Sequence, residues 1–471
     1  MLPSDNLFSI ILTHRLPLMR STETVQNFLK KYYEQFISDL ERMIVRNENC
    51  FLEQDVYDLV AENISTIKLL CSNILKVFDL YDGAKMEELY HHFDDMMSKT
   101  KMYISNIEVR TNGNESFKQY YRIRIGAEDF KERKDLFHIP MGKRSLINSY
   151  RYSIPGYPCL YLSTGVEMCW FECGMPKHFS YSAFKLNASD EQPINLINFS
   201  IAPVDFISTI VCCYNNCKTC NERTYLNNLI LKYLVSFPLR AACSISVINR
   251  NVPFIEEYIF PQQLLLWLRD KSDFDGILYR TCSAIESAYN WNYINLVMPA
   301  KCIRGSYCEN LTHMFELTPP VKVDVNKSLL KYSNKIDDVK KCLKMIESKY
   351  YNGYSLYSYR ELIAISKNFI MLYDMLLSDN YQNAPTVYQT LQTLILSANM
   401  ICKSKDSIKA TAMAEAKDLF YNVNEDLISN EFDVIFQEFQ TKVQPALNDF
   451  FHLAFIIYED HMINYDEFES I

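Results

Sequence analysis

Glycine and proline are scarce in this sequence, and most of both lie in its middle. Seven of the ten glycines fall between Gly126 and Gly305, and twelve of the sixteen prolines fall between Pro140 and Pro320. Because these residues supply tight turns and close backbone approaches, we expect such features in the middle of the chain. The flanks are nearly free of both residues and are expected to be helical.

Two kinds of phosphate-binding motif are missing from the sequence. It contains neither a Gly-x-Gly-x-x-Gly turn nor a Gly-Lys-Ser/Thr loop, which excludes a Rossmann dinucleotide site and a Walker nucleotide site. An excess of positive charge is also missing, since the net charge is -9 and the isoelectric point is about 5.5. Nucleic acids and anionic membranes are therefore not expected partners, because both are held by a basic face.

The sequence also lacks a recognisable targeting segment. Residues 1 to 19 carry Asp5 where a secretory signal has positive charge, and the most apolar window, residues 229 to 248, is interrupted by two charges and a proline. We expect a soluble cytoplasmic protein whose fifteen cysteines are reduced thiols. Four of these cysteines form one compact group rather than the two separated pairs of a structural zinc site, so no metal is expected. They are Cys212, Cys213, Cys217 and Cys220.

Hydrophobic spacing divides the chain into three regions. Apolar residues recur at helical spacing within residues 25 to 40, 64 to 78, 86 to 103 and 362 to 376. The middle contains short runs typical of strands. They cover residues 120 to 125, 159 to 163, 242 to 248, 276 to 279 and 294 to 298. We predict an α+β fold with an N-terminal helical region at 1–115, a central domain at 116–318 and a C-terminal helical bundle at 319–471. The helical flanks are expected to be regulatory or oligomerising.

Polar groups are unusually dense in the segment from Arg151 to Glu172. Thr164 to Glu167 matches a capping box, so a helix is expected to begin there, and Gly174 is placed to end it. Glu172 would then lie in the last turn, where the helix dipole disfavours a carboxylate. This placement indicates a functional glutamate, although an exposed surface glutamate would have the same spacing.

Two arginines on the predicted strand at residues 120 to 125 are also either functional or surface residues. Arg122 and Arg124 alternate along it, so both side chains lie on one face, where a planar guanidinium could bind a pyrophosphate. A solvated strand face is the alternative.

An ordered set of motifs resembles the RES domain, a family named for its Arg, Glu and Ser. The resemblance spans residues 118 to 302 and includes segments that are similar to those of longer bacterial members. Its landmarks are Tyr121-Arg122, the run from Arg151 to Leu162 (Arg-Tyr-Ser-Ile-Pro-Gly-Tyr-Pro-Cys-Leu-Tyr-Leu), Glu172, residues 242 to 245, residues 256 to 263, and Asp275 to Tyr279 (Asp-Gly-Ile-Leu-Tyr).

The resemblance implies a fold similar to that of ADP-ribosyltransferase toxins and an activity that degrades NAD, in some members by phosphorolysis. It implies that Glu172 is the catalytic carboxylate and that Tyr161 stacks against nicotinamide. The family's serine would correspond to Thr281 or to Ser283. The expected cofactor-binding residues are Tyr121, Arg122, Arg124, Arg151 and Tyr161, and Arg122 is also expected to assist catalysis.

The residue types suit this chemistry without a metal. Cleavage of the nicotinamide–ribose bond gives the ribose oxocarbenium character, which a carboxylate stabilises, and nicotinamide leaves without needing a proton. The acceptor stays open between phosphate, water and a protein side chain. If it is phosphate, the candidates to hold it are Arg124, Lys143, Arg144 and Arg280.

The leading hypothesis is a cytoplasmic NAD phosphorylase or glycohydrolase that acts as a bacterial toxin or an anti-phage defence effector. Unregulated loss of NAD would harm the host, so an antitoxin or another regulatory protein is expected, and a homo-oligomer is an open alternative. Two other functions stay open: a protein mono-ADP-ribosyltransferase, and an interaction scaffold with a decayed RES domain.

Overall fold

The fold consists of one large mixed sheet with helices before, within and after it. The computed structural model of the protein describes residues 7–46, 54–110, 119–126, 129–188, 193–216, 219–249, 252–271, 273–282, 293–301, 303–348, 357–377, 384–419, 424–451 and 465–470. Ser283 lies outside these ranges. Within them the architecture is α+β, as predicted.

The described helices run along both flanks and through the middle of the chain. They are α1 (Leu7–Thr13), α2 (Val25–Arg46), α3 (Gln54–Asp82), α4 (Met86–Thr100), α5 (Val166–Glu172), α6 (Pro203–Asn216), α7 (Cys220–Cys243), α8 (Ile259–Lys271), α9 (Glu309–Met314), α10 (Val325–Lys331), α11 (Ser333–Glu347), α12 (Tyr357–Leu377), α13 (Ala384–Lys403), α14 (Lys405–Leu419), α15 (Glu425–Glu438) and α16 (Gln444–Phe451). The helical stripes expected within residues 25–40, 64–78, 86–103 and 362–376 fall in α2, α3, α4 with a following 3-10 turn, and α12.

Nine of the described strands form one sheet in the order β1-β5-β6-β7-β3-β2-β4-β10, with β11 also paired to β4. Only the pair β5–β6 is parallel. A separate hairpin consists of β8 and β9. The strands are β1 (Asn106–Val109), β2 (Gln119–Ile125), β3 (Cys159–Ser163), β4 (His178–Leu186), β5 (Ile194–Asn198), β6 (Gly276–Tyr279), β7 (Asn295–Pro299), β8 (Ile303–Arg304), β9 (Tyr307–Cys308), β10 (Phe315–Leu317) and β11 (Val321–Asp324).

Four of the five predicted strands are present as β2, β3, β6 and β7, but the strand predicted at residues 242–248 is wrong. Helix α7 continues through Pro238 to Cys243, and the following segment makes only a single bridge, between Ile245 and Leu18. The error has a physical cause. The last turns of α7 are buried on every side, and a continuous apolar run does not distinguish a buried helix from a buried strand.

The hydrophobic cores cross the predicted region boundaries. One core joins α1 to α4 with α7, α8 and the strands β5 to β7. A second joins α5, β2, β4 and β11 with the C-terminal helices α10 to α16. A third fills the other face of the sheet. The division at residues 115 and 318 stays a prediction. The hydrophobic packing continues across both of these boundaries.

No helix in the described part of the chain combines the length and the apolar character needed to cross a membrane.

Candidate active site

The sheet opens between two of its central strands. Strand β2 pairs with β4 over seven residues and β3 pairs with β7 over five, whereas β2 and β3 share the single pair Tyr121–Ser163. A cavity of about 310 Å³ is lined by β2 and β3, by α5, and by residues at the end of β6 and the start of β7. This volume falls in the range of roughly 300–1,000 Å³ that small-molecule sites occupy.

Five of the residues predicted for the site line this one cavity. They are Arg122, Arg151, Tyr161, Glu172 and Thr281. These residues come from two strands, one helix and two loop segments and are up to 159 positions apart in the sequence (281 − 122), so the fold brings together residues whose grouping the motif order only suggested.

Glu172 is the last residue of α5, as predicted. Gly174 has a φ of +81° and ends the helix, because its N–H bonds back to the carbonyl of Phe171 at 3.0 Å. The side chain of Glu172 is exposed at the cavity. Its Oε1 accepts a hydrogen bond of 2.8 Å from Nδ2 of Asn295.

The predicted capping box at the start of α5 is wrong. Gly165 is the N-cap residue, and no side-chain cap hydrogen bond is present. The Thr164 hydroxyl instead accepts from the backbone N–H of Ile294 at 2.9 Å, while the Thr164 N–H donates to the Ile294 carbonyl at 2.9 Å. The hydroxyl fastens the residue before β7 to the start of the helix, a long-range contact that a local pattern does not reveal.

Asn295 is a site residue that the sequence reasoning missed. It is only 3% exposed and is the first residue of β7, where the other four residues are apolar. A polar residue at the start of a wholly buried strand was the available signal, since a buried amide requires a hydrogen-bond partner.

Arg122 reaches from β2 into the opening of the sheet. Its Nη1 donates to the backbone carbonyl of Tyr161 at 3.2 Å, and its buried Nε has no hydrogen-bond partner among the described residues. Burial, with a smaller contribution from the charge of Arg124, lowers the pKa of the Arg122 guanidinium. A guanidinium that is desolvated but incompletely hydrogen-bonded gains from an anionic ligand, because the ligand supplies both charge and acceptors.

Arg151 has a different set of contacts. Nη1 donates to the carbonyl of Cys243 at 3.0 Å, Nη2 donates to that of Ile245 at 2.7 Å, and the guanidinium lies 5.4 Å from the centre of the Tyr258 ring. The side chain thereby joins the cavity wall to the end of α7. Its role as a cofactor ligand stays a prediction. Only the N–H groups that are not used in these two hydrogen bonds are left to bind a ligand.

Four tyrosines form an aromatic wall of the cavity. They are Tyr150, Tyr161, Tyr258 and Tyr279. The rings of Tyr150 and Tyr161 meet edge to face with their centres 6.1 Å apart. Burial raises the pKa of Tyr161 and of Tyr279 well above the ordinary value, so both hydroxyls are neutral donors at physiological pH.

The choice between Thr281 and Ser283 for the family's serine position stays open. Thr281 is 3% exposed and lines the cavity just after β6. Ser283 is outside the described residues.

Two predicted cofactor-binding residues on β2 do not line the cavity. The Tyr121 hydroxyl accepts from Nε2 of Gln119 at 2.7 Å, and its ring packs against the second core, on the face of the strand opposite to Arg122. Arg124 shares the face of Arg122 but is two residues further along. Its guanidinium donates to the carbonyl of Asp135 and lies 5.2 Å from the centre of the Phe130 ring.

The other candidates for a phosphate site are also absent from the cavity wall. Arg280 donates through Nε to the carbonyl of Ser200 at 2.6 Å and pairs with Asp205. Lys143 and Arg144 are exposed in a 3-10 segment shortly before Ile147, which does line the cavity. Across the described ranges, no group of three or more His, Cys, Asp or Glu side chains could hold a metal ion.

His138 is a buried residue beside the cavity-lining Ile139. Its Nδ1 donates to the Ile139 carbonyl at 2.9 Å, and its Nε2 accepts from the backbone N–H of Cys308 at 2.9 Å. Burial is the main cause that lowers the pKa of His138 to about 4. Both ring nitrogens are occupied, so the geometry favours a structural role for this histidine.

The chain is 27% identical over 319 residues to the putative toxin YopC of Bacillus subtilis (strain 168), a match that covers 65% of this chain and 68% of that protein. No protein-family model matches the chain. No solved structure matches it either. The RES resemblance and the ADP-ribosyltransferase-like fold therefore stay predictions.

Proposed function

We propose that this protein is a toxin that degrades NAD by cleaving the bond between nicotinamide and ribose. The observation that supports the proposal best is the convergence of Arg122, Arg151, Tyr161 and Glu172 on one cavity. A cation with an unused buried N–H, an aromatic wall and an exposed carboxylate are complementary to the phosphates, the nicotinamide ring and the reacting ribose of NAD, respectively. The toxin role rests on the resemblance to YopC, which is itself named a putative toxin.

In the proposed reaction, the bond between the ribose C1 and the nicotinamide nitrogen breaks, and its electron pair neutralises the positive pyridinium ring. Glu172 stabilises the oxocarbenium character of the ribose, as the carboxylates of glycosidases do. The acceptor oxygen then bonds to C1. Phosphate gives ADP-ribose 1''-phosphate, and water gives ADP-ribose with loss of a proton to solvent. We propose one of these two acceptors, with phosphate preferred.

The test is incubation of the purified full-length protein with NAD, with and without phosphate, followed by separation of the products by chromatography and mass spectrometry. We expect nicotinamide release, and in Glu172→Gln we expect a rate lower by about 10²–10³-fold, the size of effect that loss of one electrostatic stabiliser has in other enzymes. Glu361→Gln, at an exposed glutamate on α12, is the matched control and should keep wild-type activity.

The reaction product identifies the acceptor. Release that requires phosphate identifies phosphorolysis, and release without phosphate identifies hydrolysis. ADP-ribose found on added cell protein would replace the proposal with protein ADP-ribosylation. Absence of nicotinamide release under all three conditions would refute NAD cleavage.

A further inference from the structure

The amide of Asn295 is fixed more firmly than the carboxylate to which it donates. Strand β7 lies between two neighbours, and Asn295 is paired with Ser163 on β3 and with Tyr279 on β6. Its own side chain is buried, whereas Glu172 is exposed at the end of a seven-residue helix. The hydrogen bond of 2.8 Å therefore connects the exposed side chain of Glu172 to a buried strand in the interior of the sheet.

A second contact holds α5 and β7 in a fixed relative position. The pair of hydrogen bonds between Thr164 and Ile294, both 2.9 Å, joins the residue before the Gly165 N-cap of α5 to the residue just before Asn295. The start of the helix and the start of the strand are thus held together, and the amide reaches across to the other end of the helix.

The direction of the hydrogen bond follows from chemistry. An ionised carboxylate only accepts, so the amide must present its NH₂ group to Glu172. A glutamate has three side-chain torsions, and restraining them before substrate binds avoids an entropy cost in the reaction. Because Oε1 is engaged by Asn295, Oε2 is the oxygen left to face a substrate.

We propose that Asn295 is a positioning residue that orients the carboxylate of Glu172 for the reaction. This inference rests on the proposed function, because it assigns a task to the same carboxylate. Asn295 would act through Glu172 and would not itself react.

Two substitutions test the inference in the full-length protein. Asn295→Ala removes the donor, and we expect kcat for nicotinamide release to fall by about 10–100-fold while KM for NAD changes by less than about threefold, since supporting residues of this kind typically have effects of that size. Asn295→Asp keeps the size of the side chain but places a second carboxylate against Glu172. Two carboxylates at this distance do not both ionise readily, so the acidic limb of the kcat profile should move to higher pH by about one unit or more.

The other groups around Glu172 are unchanged in these variants. Among the described residues, Tyr279 on β6 and Cys173 at the end of its own helix interact electrostatically with Glu172, and Cys169, Arg122 and Arg151 line the same cavity. A shift that appears only in Asn295→Asp is therefore attributable to the new carboxylate.

Asn198→Ala is the matched control. Asn198 is also buried, at 5% exposure, at the end of β5, and its Oδ1 accepts from the N–H and the hydroxyl of Ser200 at 3.0 and 2.7 Å. It is not among the residues that line the cavity. We expect this variant to lose stability while its kcat, KM and pH profile stay those of the wild type.

The outcomes separate the inference from the function on which it rests. If Glu172→Gln abolishes activity but folded Asn295→Ala and Asn295→Asp keep the wild-type kcat and pH profile, the positioning role is refuted and NAD cleavage stands. If the wild type itself releases no nicotinamide, the proposed function fails first.

Should Asn295→Ala not fold, the isosteric Asn295→Asp decides, because its pH profile reports on Glu172 rather than on stability. In a Glu172→Gln background, Asn295→Ala should cause little further loss of rate, and a full additional loss would contradict action through Glu172.

Discussion

Acidification should weaken the fold through His138, and the size of the effect can be worked out from its environment. The imidazole is fully buried, and its Nε2 accepts the backbone N–H of Cys308. Protonation would remove that acceptor and place a charge in the interior. These features agree with a pKa for His138 of about 4, lowered mainly by burial from an ordinary value of 6.5.

The sign of the effect follows from proton binding. Between pH 6.5 and about 4 the unfolded chain binds a proton at this histidine and the folded chain does not, so the free energy of unfolding falls as the pH falls. The contribution is complete above pH 6.5 and is lost as the pH drops through the folded pKa. The full difference is about 3 kcal/mol, of which about 2 kcal/mol should be lost between pH 7 and pH 5.

The assay compares the wild type with His138→Gln by urea unfolding at pH 5 to 7.5. Glutamine can accept the Cys308 N–H but does not titrate, so the stability advantage of the wild type should shrink by about 2 kcal/mol towards pH 5. Burial also lowers the pKa of His14, but this residue is present in both proteins and its contribution cancels. Parallel stability curves for the two proteins would refute the reasoning, and so would an imidazole NMR signal, missing in His138→Gln, that titrates near pH 6.5.

The two cavity arginines and one glycine give two further predictions. Arg122→Met should raise KM for NAD by tenfold or more with little loss of stability, because the guanidinium has an unused buried N–H, whereas Arg151→Met should lower the free energy of unfolding by about 2 kcal/mol, since two buried carbonyls lose a charged donor. Kinetics and thermal unfolding of both variants check this contrast, and equal stability losses would contradict it. Gly276→Ala should destabilise the protein by about 1–3 kcal/mol, because a Cβ there would lie 2.8 Å from the Val297 carbonyl oxygen and 2.8 Å from Cγ of Met298. Gly142→Ala is the control, with no atom within 4 Å of the added carbon, and a similar melting temperature for the two glycine variants would overturn the steric explanation.

Local chemistry made part of the fold and site predictable from the sequence. The helical stripes, four strands and the end of α5 at Gly174 follow from side-chain periodicity and backbone preference, which act over a few residues. Strand β4 escaped prediction because nearly all its residues are buried, which removes the alternation of a half-exposed strand. The 242–248 segment failed for a related reason, since burial on all sides also removes helical periodicity.

Long-range contacts account for what the sequence could not indicate at the site. The same residue type appears twice among the cavity arginines, yet only the fold distinguishes Arg122, with its unused N–H, from Arg151, which is tied to two carbonyls. Likewise, the pairing of Asn295 with Glu172 joins residues 123 positions apart. Motif order indicates which residues belong together, but hydrogen-bond partners decide which of them are available to a ligand.

The packing of α5 bears on the role of the C-terminal region. The apolar side of this helix, including Trp170 and Phe171, belongs to the same core as the C-terminal helices, and the Val325 N–H donates to the Lys177 carbonyl at 2.8 Å just beyond the helix. The same helix presents Glu172 to the cavity. A regulatory flank could be removed without harm to the site, but removal of residues 321–471 would expose the buried side of α5. The C-terminal helices therefore help to position the candidate catalytic carboxylate, and a regulatory or oligomerising role for them stays a prediction.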